Sequence, residues 1–230
     1  MKEQIKVIAF DADDTLWVNE PYFRETEEKF SQMMADYLPQ HSVTKELFKV
    51  EIDNLPLYGY GIKGFMLSMI ETAIKISDKT IKVDTIEKIL EIGQELLQKP
   101  IELLDDIEEV LQQLQGKYKL VMATKGDLLD QERKLIKSGL EKYFHHTEIV
   151  SEKKEKEYTK LIKHLDIKPE EFLMIGNSLK SDILPVLNLG AHGFHIPFHT
   201  TWEYEKIDTE IDHPKFKQLS SVKEVLDHLL

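Results

Sequence analysis

Val7, Ile8, Ala9 and Phe10 run without a break into a knot of like charge, Asp11, Asp13 and Asp14. A stretch apolar at every position suits a parallel strand covered on both faces, because a strand with one wet face alternates instead. We read this strand as Val7 to Ala12. Leu120 to Thr124 and Phe172 to Ile175 have the same near-continuous character, and Thr147 to Val150 and Gly193 to Ile196 are two further short runs. Helical spacing fills the gaps. Leu104, Ile107, Val110, Leu111 and Leu114 share one face before Gly116, and Tyr158, Leu161, Ile162 and Leu165 share another. Ser221 and Glu224 read as a capping box ahead of a stripe of Val222, Val225, Leu226 and Leu229. Strands alternating with helices predict an α/β fold with a doubly wound parallel sheet.

One segment breaks the alternation. Residues 17–99 show helical periodicity and no strand pattern. Pro21 suits a first helical turn, and Phe23, Phe30, Met34 and Tyr37 mark an apolar face that ends at Pro39. A second helix is expected from near Thr44, a third through Phe65, Met69 and Ile70, and a fourth through Ile86, Ile89, Leu90 and Leu97 before Pro100. The expected organisation is therefore a core made of residues 1–16 and 100–230, with a small helical domain, 17–99, inserted after the first strand.

Composition narrows the function. An apolar share of 41% supports a sizeable core, and no apolar stretch is long enough to cross a bilayer. The N-terminal apolar run is cut by Asp11 and makes a poor export signal, so a cytoplasmic location is expected. The absence of cysteine excludes disulfides, thiolate nucleophiles and thiolate metal sites. A net charge of -12 argues against nucleic acid as a main partner. Neither membrane nor nucleic acid is expected as a partner, and the chain is expected to be a monomer or a weak homodimer.

In a parallel sheet, functional groups gather at the carboxyl ends of the strands. The first strand ends in Asp11-Ala-Asp13-Asp14-Thr15, the second in Thr124-Lys125-Gly126-Asp127. The third runs into Ser151 and Lys153, and the fourth ends in Gly176-Asn177-Ser178 with Asp182 beyond. Carboxylates and an amide come from two strand ends, a hydroxyl and lysines from the other two. That is the composition of a hard-cation site beside an anion site.

With these residues the chain resembles the haloacid dehalogenase superfamily in its phosphatase branch. DADDT matches the D-x-D-x-T signature, the threonine of MATKGD fits the second motif, a lysine near 153 fits the third, and GNSLKSD resembles the fourth. The resemblance covers essentially the whole chain and implies a Rossmann-like core with a helical cap after the first motif. It implies that Asp11 is a nucleophile forming an aspartyl-phosphate. Asp13 would be the general acid and then the general base, with a pKa pushed upward by Asp11. Two-residue spacing in an extended chain would place both carboxylates on one side. Thr124 would bind the phosphoryl group, and Lys153 would neutralise the phosphate and Asp11 together. Mg²⁺ would be held by Asp11, the Asp13 carbonyl, Asn177 and Asp182. Lys154 competes with Lys153 for the third-motif role, although Tyr158 as the aromatic that starts the next helix selects Lys153. Lys125 either adds positive potential for substrate or serves the surface. Asp14 reads as structural.

Asn177 departs from the family, which more often has aspartate there, and an amide oxygen brings no charge to a metal. The namesake dehalogenases lack the second aspartate of the first motif, so Asp13 favours phosphoryl transfer. The expected function is a Mg²⁺-dependent phosphatase acting on a small phosphate ester. The alternatives are a phosphomutase of the β-phosphoglucomutase type and a non-catalytic phosphometabolite-binding protein. In the inserted segment, Tyr58, Tyr60 and Lys63 stand in a glycine-rich stretch, Leu57 to Gly64. That stretch is read either as a substrate-contacting loop or as a plain helix connection with inward tyrosines. His199, Trp202 and Glu203 follow the last strand and read either as lining the entrance to the site or, the favoured reading, as a structural loop with Trp202 over the core.

Overall fold

A computed structural model describes residues 4–208 and 210–230. Its strands are β1 (Val7–Phe10), β2 (Lys119–Lys125), β3 (His146–Val150), β4 (Phe172–Gly176), β5 (His192–His195) and β6 (Phe216–Gln218). All pair in parallel, in the order β3-β2-β1-β4-β5-β6. The uninterrupted apolar runs now have their reason. Ile8, Phe10, Leu120, Met122, Leu173 and Ile175 face one apolar cluster, while Val7, Ala9, Val121, Ala123, Phe172 and Met174 face the other. Successive side chains alternate between two buried faces, so no position is left for water. Burying each large side chain contributes about 1.5–3 kcal/mol, and Phe10→Ala would cost about 3–5 kcal/mol.

The register sets the site. Phe10 pairs with Met122 on one side and Ile175 on the other. The residues that follow all three strands therefore emerge at one edge, where the strand order reverses direction around β1 and β4. The helices of this unit are α5 (Ile107–Leu114), α6 (Leu128–Ser138), α7 (Glu155–His164), α8 (Leu184–Asn188) and α9 (Glu224–Leu229).

Several boundaries differ from expectation. β6 was not anticipated, because its three residues include Lys217 and carry no apolar run. Leu104 packs against the core but precedes α5, whose first residue is Ile107. The C-terminal cap is shifted: Glu224 opens α9, and its carboxylate accepts the Ser220 N–H at 3.3 Å rather than pairing with Ser221.

The chain divides into two compact units, residues 1–20 with 101–230, and residues 21–100. The second unit is built from the helices α1 (Glu20–Met33), α2 (Gln40–Tyr58), α3 (Ile62–Ile76) and α4 (Val83–Gln98). Phe30, Met34, Leu47, Phe65, Met69 and Ile89 form its core. Gly93 of α4 lets Met66 of α3 lie where a β-carbon would overlap it. The stretch Leu57 to Gly64 is mostly helix, not loop: only residues 59–61 connect α2 to α3. Gly59 and Gly61 make that short turn at φ 70° and 110°, where a side chain would be strained. Tyr58 is exposed and donates its hydroxyl to Glu71 at 2.7 Å, so it is not packed inward. No helix among the described residues is long and apolar enough to cross a membrane.

Candidate active site

Asp11 extends β1 by one residue, its N–H donating to Ile175 O at 2.9 Å. The chain then curls tightly, with the Leu16 N–H reaching Ala12 O at 2.7 Å and Asp14 in the left-handed region at φ 60°. Aspartate tolerates that region better than most residues. The Asp14 carboxylate accepts the N–H groups of Asn19 at 2.8 Å and Glu20 at 3.0 Å, and so caps the start of α1.

This turn separates the first-motif carboxylates, which the spacing had placed side by side in extended chain. Asp11 and Asp13 address different partners. The Lys153 ammonium lies 2.5 Å from Asp11 Oδ1 and 2.7 Å from Asp182 Oδ1. Lys154, by contrast, is 69% exposed at its side chain and meets Glu152 at 3.3 Å. Burial and the charge of Asp182 push Asp11 up to about 7, against the pull of Lys153. Burial opposes the charge on Lys153, but Asp11 and Asp182 outweigh it and hold the ammonium well above the ordinary lysine range.

Asp13 behaves in the opposite way to expectation. Its Oδ1 accepts from Trp17 Nε1 and Lys134 Nζ, each at 2.8 Å, and its Oδ2 accepts from Gln131 Nε2 at 2.7 Å. Burial alone would raise its pKa, but the Lys134 charge and the three donors outweigh burial and hold the carboxyl below its usual range. The upward push expected from Asp11 is overridden by a cation 121 positions away in the chain.

Asp182 sits in a π-helical turn, Leu179–Ile183. Its Oδ1 is taken by Lys153, and its Oδ2 accepts the Ser178 N–H at 3.0 Å. Both oxygens thus have a partner in the protein, and each keeps a further lone pair. Tyr158 donates its hydroxyl to Ser181 O at 3.0 Å and steadies this turn from α7.

Two other oxygens are less engaged. Thr15 Oγ1 stands 3.4 Å from Asp11 Oδ2 and 3.3 Å from Asn177 Oδ1. One hydroxyl carries one proton and cannot satisfy both acceptors. A carboxylate oxygen and an amide oxygen converge there, underused, and both are hard donors of the kind Mg²⁺ takes. The residues therefore fit a small divalent cation. Among the described residues no group of three histidines or carboxylates forms an all-side-chain metal cage. His195 Nε2 lies 2.9 Å from Asn177 O and fixes that peptide.

Thr124 is buried at the end of β2, its hydroxyl 3.5 Å from Lys125 O. Lys125 Nζ lies 2.5 Å from Glu205 Oε1 and 3.0 Å from Ser181 Oγ. Glu205 Oε2 in turn accepts from Ser178 and Ser181, each at 2.6 Å. Burial works against its charge, but Lys125 and the two serines hold Glu205 below its usual range. The loop after β5 is thus pinned by Glu205, while Trp202 is half-buried against Tyr204, with ring centroids 5.1 Å apart. Tyr58, Tyr60 and Lys63 belong to the second unit.

Sequence reasoning missed Gln131, Lys134 and Glu205. A trace of the first two was readable: Asp130, Gln131 and Lys134 share a helical face with Leu135, and a polar group at an apolar position calls for a partner. Nothing local marked Glu205 among the charges around it.

A family model for haloacid dehalogenase-like hydrolases matches residues 5–190. Among solved structures, a haloacid dehalogenase-like family hydrolase from Xanthomonas campestris is 37% identical, with a TM-score of 0.88, covering 98% of this chain and 92% of that one. A predicted phosphoglycolate phosphatase from Haemophilus somnus is 17% identical, with a TM-score of 0.65 and 99% of each chain covered. A 2-haloacid dehalogenase from Pseudomonas syringae is 16% identical, also with a TM-score of 0.65, and 98% of each chain is covered. The fold thus accommodates both chemistries, and the choice falls to the residues. No curated protein sequence matches the chain.

Proposed function

The chain belongs to the haloacid dehalogenase-like hydrolases, and we propose that within them it is a Mg²⁺-dependent phosphatase of a small phosphorylated metabolite, working through an aspartyl-phosphate on Asp11. The observation that carries this reading is Lys153, whose ammonium is shared between Asp11 Oδ1 and Asp182 Oδ1. It orients one oxygen of Asp11 and leaves Oδ2 with only a long contact to Thr15. A nucleophile needs a carboxylate held in one orientation.

Asp13 separates phosphatase from dehalogenase. A halide leaves without a proton, whereas an alkoxide needs one. In the first step Asp11 attacks phosphorus, the bond to the leaving oxygen breaks, and that oxygen takes a proton from Asp13. In the second step water attacks the phosphorus, Asp13 accepts the proton of the water, and Asp11 is released. Asp13 starts as a carboxylate in the free protein. A phosphate dianion arriving beside it adds negative charge and raises its proton affinity, and Asp13 takes up the proton it later donates from solvent as the substrate binds. The Thr124 hydroxyl binds phosphoryl oxygens, and Lys153 neutralises their charge. Lys125, held by Glu205, contributes background potential.

Asp11, the Asp13 carbonyl, Asn177 and Asp182 would hold Mg²⁺. Bound there, Mg²⁺ supplies Lewis-acid neutralisation of phosphoryl oxygens. The test is phosphate release from p-nitrophenyl phosphate with and without EDTA. Magnesium-dependent release that disappears in Asp11→Asn is expected. No such release, or full activity in Asp11→Asn, overturns the reading. A panel of phosphorylated metabolites then identifies the substrate.

A further inference from the structure

Lys134 is a buried cation to which the chemistry above gives no part. It is 7% exposed on α6, the helix that follows β2. Its ammonium lies 2.8 Å from Asp13 Oδ1 and 2.8 Å from Asn19 Oδ1. The nearest other anion, Asp130, is 3.9 Å away and is engaged by Arg133. Lys134 therefore has Asp13 as its main counter-charge. Gln131, one turn earlier on the same face, donates 2.7 Å to the other oxygen of Asp13.

Burying an ammonium costs several kcal/mol before pairing. A helix needing only to pack here would place an apolar side chain at position 134, as it does with Leu135. Asp127 caps α6 by accepting the Asp130 N–H at 3.1 Å, which starts this helix directly after the second motif. The helix is thus anchored at one strand end and reaches across to the turn after β1.

We propose that Lys134 and Gln131 are positioning residues: together they hold the Asp13 carboxylate in the single orientation from which it exchanges protons with the leaving group and with water. The proposal rests on the phosphatase reading above. It requires that the two side chains act through Asp13 and not merely as glue between α6 and the first turn.

The experiment compares kcat/KM for p-nitrophenyl phosphate, whose leaving group departs without a proton, with that for an alkyl phosphate, glycerol 1-phosphate, whose alkoxide needs one. This ratio reports the first half-reaction alone, since it extends only to formation of the phosphoenzyme. Lys134→Met should lower the alkyl ester's value about tenfold more than the aryl ester's, a fraction of the 10²–10⁴ that a general acid contributes. Gln131→Leu should shift the ratio the same way, and it decides the matter if Lys134→Met does not fold. In an Asp13→Asn background, Lys134→Met should add no further loss on the alkyl ester. Equal losses on both esters, or losses that add to that of Asp13→Asn, overturn the proposal. A wild-type protein that hydrolyses neither ester overturns the phosphatase reading itself, which keeps the two failures distinct.

Discussion

Gly176 leaves the space that Asp182 occupies: a β-carbon at position 176 would overlap the Asp182 carboxylate. The carboxylate so placed is the one that shares Lys153 with Asp11. A glycine at the end of β4 thereby controls where the cation beside Asp11 sits. Gly176→Ala should cost about 1–3 kcal/mol from overpacking. It should lower phosphate release far more than that loss implies, by roughly 10²-fold, because about 1 Å of misplacement has that effect. Thermal melting and kcat on one sample separate the two.

Lys153 and Lys154 are adjacent in sequence, and opposite outcomes are expected for them. Lys153→Met leaves two buried carboxylates facing one another without a cation, and should cost about 3–5 kcal/mol along with activity. Lys154→Ala removes an exposed side chain and should stay within about 0.5 kcal/mol of wild type, with activity unchanged. Denaturant midpoints and initial rates check both.

Asn177→Asp adds a charge beside Asp11 Oδ2, where Thr15 offers one proton to two acceptors. Apparent Mg²⁺ affinity should rise by roughly tenfold, since ligand charge sets cation affinity in oxygen sites. Direct Mn²⁺ binding followed by paramagnetic resonance, beside a Mg²⁺ titration of activity, would show it. Unchanged or weaker binding would remove Asn177 from the metal site.

His192 is buried at the start of β5 and takes no part in this chemistry. Burial, with Lys215 nearby, lowers its pKa from 6.5 to about 4. The unfolded chain therefore binds a proton between these values that the folded chain does not, and stability falls as pH drops through that window. The contribution has a limiting slope of about 1.4 kcal/mol per pH unit. His192→Gln should remove this contribution, so that the variant gains stability relative to wild type as pH drops from about 6.5 to 4; a difference that does not change with pH would contradict this origin.

The apolar runs around Ile8, Met122 and Ile175 identified β1, β2 and β4 by themselves, because burial on both faces leaves a local and unbroken pattern. The helical character of residues 17–99 was equally local. The strand ends that carry Asp11, Thr124 and Asn177 could be read for the same reason, since parallel strands place their carboxyl ends together. Which charge meets which could not be read. Lys134 reaches Asp13 across 121 positions, and Glu205 reaches Lys125 across 80. Periodicity reports which face of an element is dry and carries no information about distant partners. A buried ion pair is decided by strand order, by where each helix starts, and by the few side chains long enough to span the gap. Tertiary structure therefore turned Asp13 toward α6 and paired Asp182 with Lys153, the lysine that Tyr158 had already favoured over Lys154. The sign of the shift at Asp13 followed from that placement, because there Lys134 and three hydrogen-bond donors together outweigh burial.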